Sequence, residues 1–349
     1  MNFIDDLLHK KSEWLKGNGP KSNIVISSRV RLARNIDGYP FYIRSTAENK
    51  KKILDDVRAS IESNKIFKEA LFISLKDLSD LDRQLLVERH LISPDHMETP
   101  EFKAVVVDKE EILSIMVNEE DHLRVQVLKS GFNLMDAWRI VDKIDTVLSE
   151  KIQYAFSTKW GYLTACPTNI GTGLRGSVMV HLCALNMTNQ VAKVFQAISK
   201  LGLTMRGLYG EGTEASGDFF QISNQVTFGR SEEEILGNIE RIVNKIIMRE
   251  MATRSLLLEK KKDEINDKIW RALGTLKSAR IISSNEAIML LSIIRFGIDL
   301  GIVKDIDFHV LNELFILIQP AHLQKIAGKL LSPNERDGRR AELLRERLK

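Results

Sequence analysis

The segment Asn118–Arg124 brings together side chains that could do chemistry: three consecutive acids, a histidine and an arginine. It lies between two apolar runs that read as neighbouring strands. Carboxylates placed in this way can bind Mg²⁺ or hold a substrate cation, while Arg124 reaches a phosphate. The same pattern is also typical of a solvated hairpin turn, and taken alone it favours that turn.

A second segment, Ser27–Arg34, carries three arginines on a run that reads as extended. Alternate side chains of a strand point to the same side, so Arg29 and Arg31 would form a two-pronged clamp. The guanidinium fork matches phosphate oxygens better than a lysine does. Basic residues also protect exposed sheet edges, and a solvated edge strand is the alternative interpretation.

The third segment, Cys166–Ser177, contains three glycines spaced as G-x-G-x-x-G. A dinucleotide-binding fold would place an acid about 20 residues further on, and a Walker loop would end in Gly-Lys-Ser/Thr; neither is found. The remaining possibilities are a turn whose amides and Arg175 contact phosphate, or a structural turn. Cys166 is either an activated thiolate or a small core residue.

The fourth segment, Arg206–Glu214, holds three glycines and two glutamates. This composition predicts a mobile loop that can present acids to a ligand, or a simple hairpin connection.

The elements that must position these segments are mixed in the first 250 residues and helical afterwards. Hydrophobic spacing predicts helices over 1–16 and within 46–90, and strands at 24–26, 104–107, 112–117, 123–127 and 221–228. Capping sequences at 231–234, 283–286 and 332–335 predict helix starts. We therefore expect an α+β fold with two domains, 1–250 and 251–349.

Composition places further bounds on the function. The 349 residues carry a formal charge of only +4, which permits an anionic partner but does not require nucleic acid. No apolar run approaches the roughly 18 residues that span a bilayer. The two cysteines form no C-x-x-C pair, so neither a disulfide framework nor a structural zinc site is expected. A cytoplasmic enzyme without membrane or direct nucleic-acid contact is the prediction.

The order and the amino-acid sequences of the four segments resemble those of the phosphagen-kinase superfamily of creatine and arginine kinases. The chain looks most similar to the bacterial protein-arginine kinases of the McsB type, and the resemblance extends over its whole length. It implies a phosphagen-kinase-like catalytic domain, with an antiparallel sheet flanked by helices, plus an all-α C-terminal domain. The implied reaction transfers the γ-phosphoryl group of ATP to arginine side chains of proteins, with Mg²⁺ arriving bound to ATP.

The resemblance also assigns roles to particular positions. Glu120 matches the carboxylate that holds the guanidinium and accepts a proton, and Glu214 matches its partner. Glu211 supports substrate or nucleotide, and Cys166 matches a reactive thiol beside the guanidinium. The implied ATP-binding residues are Ser27, Ser28, Arg29, Val30, Arg31, His90, Arg124, Arg175, Gly176, Ser177, Val178, Met179, Arg206, Gly207, Leu208, Tyr209, Gly210 and Glu211.

Features outside the four segments favour protein arginine over a small guanidino acid. Only 26 residues precede Ser27, where creatine and arginine kinases carry a helical domain, and Tyr209 stands where those enzymes present another arginine. The tail resembles an R-D-x-x-R-A motif that binds phosphoarginine at an allosteric pocket, formed by Arg336, Asp337, Gly338, Arg339, Arg340 and Ala341. Without the resemblance, this tail is simply a basic helix end.

The resemblance further implies a homodimer formed through the helical tail, an activator protein, and a Clp-type protease that receives the marked proteins in a stress response. Two departures from the family are Gly176, where alanine is usual, and Cys183, where proline is common. Neither removes a catalytic group, so activity is expected. The alternatives are a kinase for free arginine and a non-catalytic regulator whose tail binds nucleic acid or a partner.

Overall fold

The computed structural model describes residues 3–207 and 216–349. Within them, one eight-stranded sheet has the order β2-β3-β4-β5-β1-β8-β10-β9, and every neighbouring pair is antiparallel. A small hairpin, β6-β7, stands apart from it. The strands are β1 Val25–Arg34, β2 Leu71–Ser74, β3 Ala104–Val107, β4 Leu113–Val117, β5 Leu123–Ser130, β6 Phe156–Ser157, β7 Gly161–Tyr162, β8 Leu174–His181, β9 Leu203–Gly207 and β10 Phe219–Asn224.

Helices precede, connect and follow these strands. In chain order they are α1 Phe3–His9, α2 Ala47–Glu62, α3 Asp80–Glu88, α4 Pro94–Met97, α5 Leu134–Ser149, α6 Cys183–Met187, α7 Val191–Ser199, α8 Glu232–Lys260, α9 Lys262–Ser278, α10 Ser284–Asp299, α11 Phe308–Leu317, α12 Pro320–Ala327 and α13 Pro333–Arg347. None of the helices in the described parts of the chain is long and apolar enough to cross a bilayer.

One face of the sheet is apolar and packs against helices α2, α5, α7 and α8. Val30, Val125 and Val178 on the central strands belong to this core, as do Val141 of α5 and Ile239 of α8. The alternation of the strands therefore sends every second side chain into a continuous hydrophobic layer. We call this the back face.

Within residues 3–207 and 216–349, the opposite face, which we call the front face, is covered only at its two ends. At one end, Val107 and Met116 pack beneath α1 and α3. At the other, Met179 and Phe219 pack against the helical C-terminal region. The central strands β5, β1 and β8 lie between these two covers, and their front-face side chains form the floor of a cleft.

The C-terminal helices are joined by buried polar contacts to the part of the chain that forms the sheet. The Glu88 carboxylate, at the end of α3, accepts hydrogen bonds from the backbone amides of Ala321 (2.8 Å) and His322 (3.1 Å). It also pairs with Nδ1 of His322 at 2.7 Å. These contacts satisfy free amides in the first turn of α12, as an N-cap residue would.

The predicted fold class is confirmed, and most predicted elements are present. The helical interpretation of 46–90 was incomplete, because strand β2 interrupts it. Strands β6, β7, β8 and β9 were not predicted. The strand expected over 221–228 occupies Phe219–Asn224 instead. The predicted domain boundary falls inside α8, whose capping box at Ser231 was correctly predicted; the two-domain division stays a prediction.

Candidate active site

Four arginines share the front face at the centre of the sheet. On strand β1, Arg31 lies opposite Arg175 of β8 and opposite Gln126 of β5. Arg29 stands two residues before Arg31, and Arg124 two residues before Gln126, so all four guanidinium groups project from the same side. The predicted clamp therefore lies on central strands, and the alternative of a solvated edge strand is wrong.

Arg29 is held in place by neutral partners. Its Nη2 donates to Oε1 of Gln221 at 2.7 Å, and its Nε lies 3.4 Å from Oγ of Ser177. Burial, reinforced by the charges of Arg124 and Arg175, lowers the pKa of Arg29 to about 9. The described residues around it thus leave this charge uncompensated, which favours the arrival of an anion.

Arg31 and Arg175 have unsatisfied donors. Within the part of the chain that the structure describes, Nε of each is buried without a hydrogen-bond partner. Burial and neighbouring guanidinium groups lower the pKa of both side chains, in Arg31 well below its ordinary value. Buried donors that find no protein acceptor are costly, and the oxygens of a polyphosphate would satisfy them. The residues present therefore fit a nucleotide triphosphate.

An open cleft of about 1120 Å³ lies in front of these arginines. Arg29, Arg31, Arg124 and His90 line one part of it, and Gln319 and Pro320 of the helical region line another. Burial, followed by the charge of Arg29, lowers the pKa of His90 to about 4, and its Nε2 has no partner among the described residues. A neutral imidazole in this position can contact a nucleotide without adding charge.

The turn between β4 and β5 is largely buried, so the solvated hairpin favoured by its sequence pattern is wrong. Glu119 is ion-paired with Arg124 and accepts a hydrogen bond from Oγ of Ser93. Burial opposes its ionisation, but the Arg124 charge and these hydrogen bonds outweigh burial and lower the pKa of Glu119 to about 2. Glu119 therefore positions Arg124.

Glu120 is the exposed acid of this turn. It lines a cavity of about 470 Å³ together with Glu119, Asp121, Arg31 and Arg175, and with Asn169. Partial desolvation, followed by the charges of Asp121 and Glu119, raises the pKa of Glu120. A carboxylate with a raised pKa and no committed partner among the described residues is suited to hold a cation and accept a proton from it.

Asp121 connects this turn to the segment that carries Cys166. Its Oδ1 accepts hydrogen bonds from Nδ2 of Asn35 (2.6 Å) and from the backbone amide of Ala165 (2.7 Å). His122 is structural as well: its Nδ1 accepts from the amide of Ile36 at 3.0 Å, and its Nε2 lies 2.9 Å from the Pro40 carbonyl oxygen.

Cys166 is half-buried at the start of the short helical turn Pro167–Asn169. Its Sγ lies 3.0 Å from Oγ1 of Thr168. Burial is the largest influence on the pKa of Arg175 and lowers it, and an electrostatic interaction with Cys166 acts in the opposite direction. Cys166 therefore lies within electrostatic range of this guanidinium. Because Cys166 is only half-buried, the alternative of an inert core cysteine fits Cys183 instead, which is fully buried.

The other residues predicted to bind the nucleotide lie on both faces of the sheet. Ser177 lies on the front face with Arg29, whereas Ser28 turns to the back, where its Oγ donates to the Gly131 carbonyl oxygen at 2.8 Å. Val30 and Val178 are core residues, Ser27 is buried, and Gly176 packs against α8. Met179 lies on the front face under the helical cover, and Arg206 and Gly207 end β9. Leu208, Tyr209, Gly210, Glu211 and Glu214 lie outside the described residues.

The tail motif forms part of helix α13. Arg340 is only 1% exposed, and its guanidinium donates to the carbonyl oxygens of Ile318 (2.9 Å) and Ile282 (2.8 Å) and pairs with Asp337. It therefore fastens α13 to the neighbouring helices. Ala341 is buried beside it, Gly338 has open space at its Cα, and Arg336 and Arg339 lie nearer the surface.

Sequence reasoning missed several residues that organise the site. Ser93 and Asn35 hold two of the turn acids, and Gln221 and Ser223 hold Arg29 and Arg175. The alternation of polar and apolar residues along β10 was a usable signal, because it places Gln221 and Ser223 on one face. Ser93 and Asn35 carried no such signal, since only the folded chain brings them near residues 119–121.

This combination of paired arginines and acid-lined cavity agrees with the comparisons to known proteins. Residues 52–253 match the sequence profile of the ATP:guanido phosphotransferase C-terminal catalytic domain. The chain belongs to that family. Residues 262–349 match the profile of the protein-arginine kinase McsB C-terminal domain. The resemblance inferred from the four segments is thereby confirmed, and the chain is an ATP-dependent phosphotransferase of the guanidino-kinase type.

Individual relatives agree over the whole length. The chain is 50% identical to a protein-arginine kinase of Halothermothrix orenii, with 99% of both chains covered. It is 44% identical to a protein-arginine kinase of Bacillus subtilis, with 99% of this chain and 95% of the relative covered. Among solved structures, a lombricine kinase superposes with a TM-score of 0.61 at 26% identity, covering 71% of each chain.

Proposed function

We propose that this member of the guanidino-kinase family is a protein-arginine kinase, which transfers the γ-phosphoryl group of ATP to the arginine side chains of proteins. The observation that carries the proposal is the pairing of a crowded arginine cluster with an acid-lined cavity on the same face of the sheet. The arginine cluster suits a triphosphate, and the acid-lined cavity suits a guanidinium. Arg31 and Arg124 line both the open cleft and the acid-lined cavity, and Arg175 lines the cavity.

In this proposal, the arginines neutralise the phosphate oxygens and orient the γ-phosphorus toward the acid-lined cavity. Positioning and charge neutralisation are the main contributions of a protein to phosphoryl transfer. Glu119 and Asp121 are already engaged by Arg124, Asn35 and Ala165, so the turn offers no free set of carboxylates for a metal. Mg²⁺ would therefore arrive on the phosphates, which it binds together with water.

Glu120 then receives the substrate guanidinium. The carboxylate holds the planar group by its N–H donors and takes one proton, so that the nitrogen can form an N–P bond as the P–O bond to ADP breaks. The Cys166 thiol, half-buried in the adjacent turn and within electrostatic range of Arg175, would flank this position. Glu214 and Glu211 would act from the loop outside the described residues.

The proposal predicts an acid-labile phosphoryl group on arginine when the protein is incubated with MgATP and an arginine-rich polypeptide. Mass spectrometry locates the modification. Glu120→Gln should reduce the rate by roughly 10²- to 10⁴-fold, the usual contribution of a general base. The matched control is Glu48→Gln, which changes a glutamate that is 76% exposed on α2. Equal rates for Glu120→Gln and wild type would refute the role of Glu120.

Two alternatives make different predictions. A free-arginine kinase would phosphorylate arginine but no polypeptide. A nucleic-acid-binding regulator would show steeply salt-dependent DNA binding without ATP turnover. The structure does not favour this second alternative, since Arg340 is buried and Arg345 donates to the Ala279 carbonyl oxygen.

The wider role belongs to the same proposal. Phosphorylated proteins would be delivered to a Clp-type protease during stress in the cytoplasm, with an activator protein controlling the kinase. Arg336, Asp337 and Arg339 would receive a phosphoarginine at the surface of α13, and a homodimer would form through the helical region. The exposed apolar side chains of Trp270, Ile281 and Met289 in that region support such an interface.

A further inference from the structure

Three aromatic side chains form an exposed patch beside the Cys166 turn, on the hairpin β6-β7 and the loop before α8. Phe156, Trp160 and Phe228 are 59%, 47% and 49% exposed. The Trp160 and Phe228 rings lie 5.6 Å apart between centroids, and Phe156 contacts Tyr162 at 5.2 Å. We call these three residues the aromatic shelf; they line an open cavity of about 750 Å³.

The backbone that carries the aromatic shelf is held in place by close contacts. Gly161 crosses Gly171 so closely that a Cβ at Gly161 would lie 2.5 Å from the Gly171 carbonyl oxygen. The Tyr162 amide donates to that same oxygen at 2.8 Å, and the Arg34 guanidinium stacks 3.5 Å from the Tyr162 ring centroid. The exposed rings are therefore presented by a rigid platform, which lowers the entropic cost of binding a ligand.

The shelf and the acid-lined cavity share a wall. Asn169 and Gly173 line the cavity that contains Glu120, whereas Gly171 and Thr172, between them in the chain, line the shelf. Four residues of extended chain span at most about 14 Å. Oγ1 of Thr227, next to Phe228, donates to the carbonyl oxygens of Thr168 (2.9 Å) and Ile170 (2.6 Å), and so fixes the shelf to the turn that carries Cys166.

We propose that the aromatic shelf binds the substrate polypeptide, accepting an apolar side chain located a few residues from the arginine that enters the acid-lined cavity. This inference rests on the proposed function, because a free amino acid would not reach the shelf. Charges around it are mixed, with Lys159 and Arg230 opposing the acids that begin α8. Apolar contact with the rings is therefore the main source of affinity, and it selects the neighbours of the target arginine.

The test compares two synthetic peptides that each contain one arginine. One carries leucine and phenylalanine three residues from the arginine on either side, and the other carries serine at those positions. Wild type should show about tenfold higher kcat/KM for the apolar peptide. Trp160→Ala with Phe228→Ala should lower the value for the apolar peptide to that for the serine peptide, which should itself change less than twofold.

The matched control is Ile66→Ala with Leu71→Ala, which removes two exposed apolar side chains on and beside the edge strand β2. It should retain the preference for the apolar peptide. A shelf variant that keeps the preference, or that loses activity on both peptides equally, overturns the proposal.

Cross-linking to the wild-type protein provides a readout that needs neither a variant nor turnover. An apolar peptide carrying a photoreactive benzoylphenylalanine should attach within residues 156–162 or 226–230, and an unlabelled apolar peptide should compete. Attachment elsewhere overturns the inference. If wild type phosphorylates neither peptide, the proposed function fails, while the cross-linking result still decides whether the shelf binds polypeptide.

Discussion

Asp121 accepts a hydrogen bond from the backbone amide of Ala165 at 2.7 Å, and this contact joins the two segments that carry Glu120 and Cys166. The two segments lie more than 40 positions apart in the chain. Burial raises the pKa of Asp121, while the hydrogen bonds from Ala165 and Asn35 favour its charged form. Asp121 thus sets the distance between the neighbouring Glu120 and the thiol.

Removal of this link should reduce catalysis more than stability. In Asp121→Ala, the amide of Ala165 and Nδ2 of Asn35 lose their acceptor, and the Cys166 turn is no longer fixed relative to Glu120. We expect kcat to fall by about 10²-fold, since small misplacements of catalytic groups have effects of this size. Steady-state kinetics and thermal unfolding measure both quantities. Asp55→Ala on the exposed side of α2 is the control, and a kcat within twofold of wild type would contradict the link.

The raised pKa of Glu120 predicts a pH dependence of the reaction. A carboxylate must be ionised to accept a proton, and a raised pKa means that it becomes protonated at a higher pH than an ordinary glutamate. As pH falls, kcat/KM should therefore decline through a midpoint above 4.5, the ordinary value. Glu120→Asp should retain an acid limb, and Glu120→Gln should lose it. An acid limb in Glu120→Gln that matches wild type would assign it to another group.

The crowded charge of Arg31 predicts opposite effects on stability and nucleotide binding. Burial and three neighbouring arginines disfavour its charge, and no group in the described ranges is a partner for its Nε. Arg31→Met should therefore raise the free energy of unfolding of the nucleotide-free protein by about 1 kcal/mol, as replacements of unpaired buried charges do. It should weaken ATP binding by at least about 100-fold, because a charge-assisted contact is lost.

Chemical denaturation and calorimetric titration measure the two effects. The same comparison for Arg58→Met, on α2, provides the control for loss of an arginine that stacks on Phe72 away from the cleft. A destabilised Arg31→Met protein that still binds ATP normally would contradict the interpretation.

The contact of Glu88 with α12 predicts that the helical region supports the nucleotide cleft. Glu88→Ala leaves two backbone amides and the His322 ring without their acceptor, at a cost of about 1–3 kcal/mol. Because Gln319 and Pro320 lie at the start of α12 and line the cleft, KM for ATP should also rise. Glu69→Ala, at a residue 74% exposed, should change neither the urea midpoint nor KM.

The lowered pKa of His96 predicts acid sensitivity. Burial lowers it to about 4 from 6.5, so the unfolded chain binds a proton between these pH values that the folded chain does not. Stability should therefore fall as pH decreases from 6.5 to 4. In His96→Gln, the slope of unfolding free energy against pH should decrease by up to one proton. The exposed His309→Gln serves as control, and an unchanged slope in His96→Gln would contradict the assignment.

The sequence by itself determined the chemistry of the site. Arginines at alternate positions of an extended run must project from one side of a strand, and this spacing alone places Arg29 and Arg31 together. The order of the four segments indicated the family, and the capping box at Ser231 and the β4 and β5 runs were local patterns that the fold retained. Local periodicity is readable because it follows from backbone geometry alone.

The tertiary structure decided which of several equivalent residues is available to substrate. Three adjacent acids look alike in the sequence. In the structure, however, Glu119 is bound by Arg124 and Ser93, and Asp121 accepts hydrogen bonds from Asn35 and Ala165. Among the described residues Glu120 remains free, because Arg124 of the same turn binds Glu119 and the distant Ser93, Asn35 and Ala165 arrive at the other two acids. Arg340 shows the same effect in the tail, where neighbouring carbonyl oxygens bind a guanidinium that the motif had assigned to a ligand. Long-range packing brings in Ser93, Asn35, Ala165 and the carbonyl oxygens that bind Arg340, and no local pattern contains these contacts.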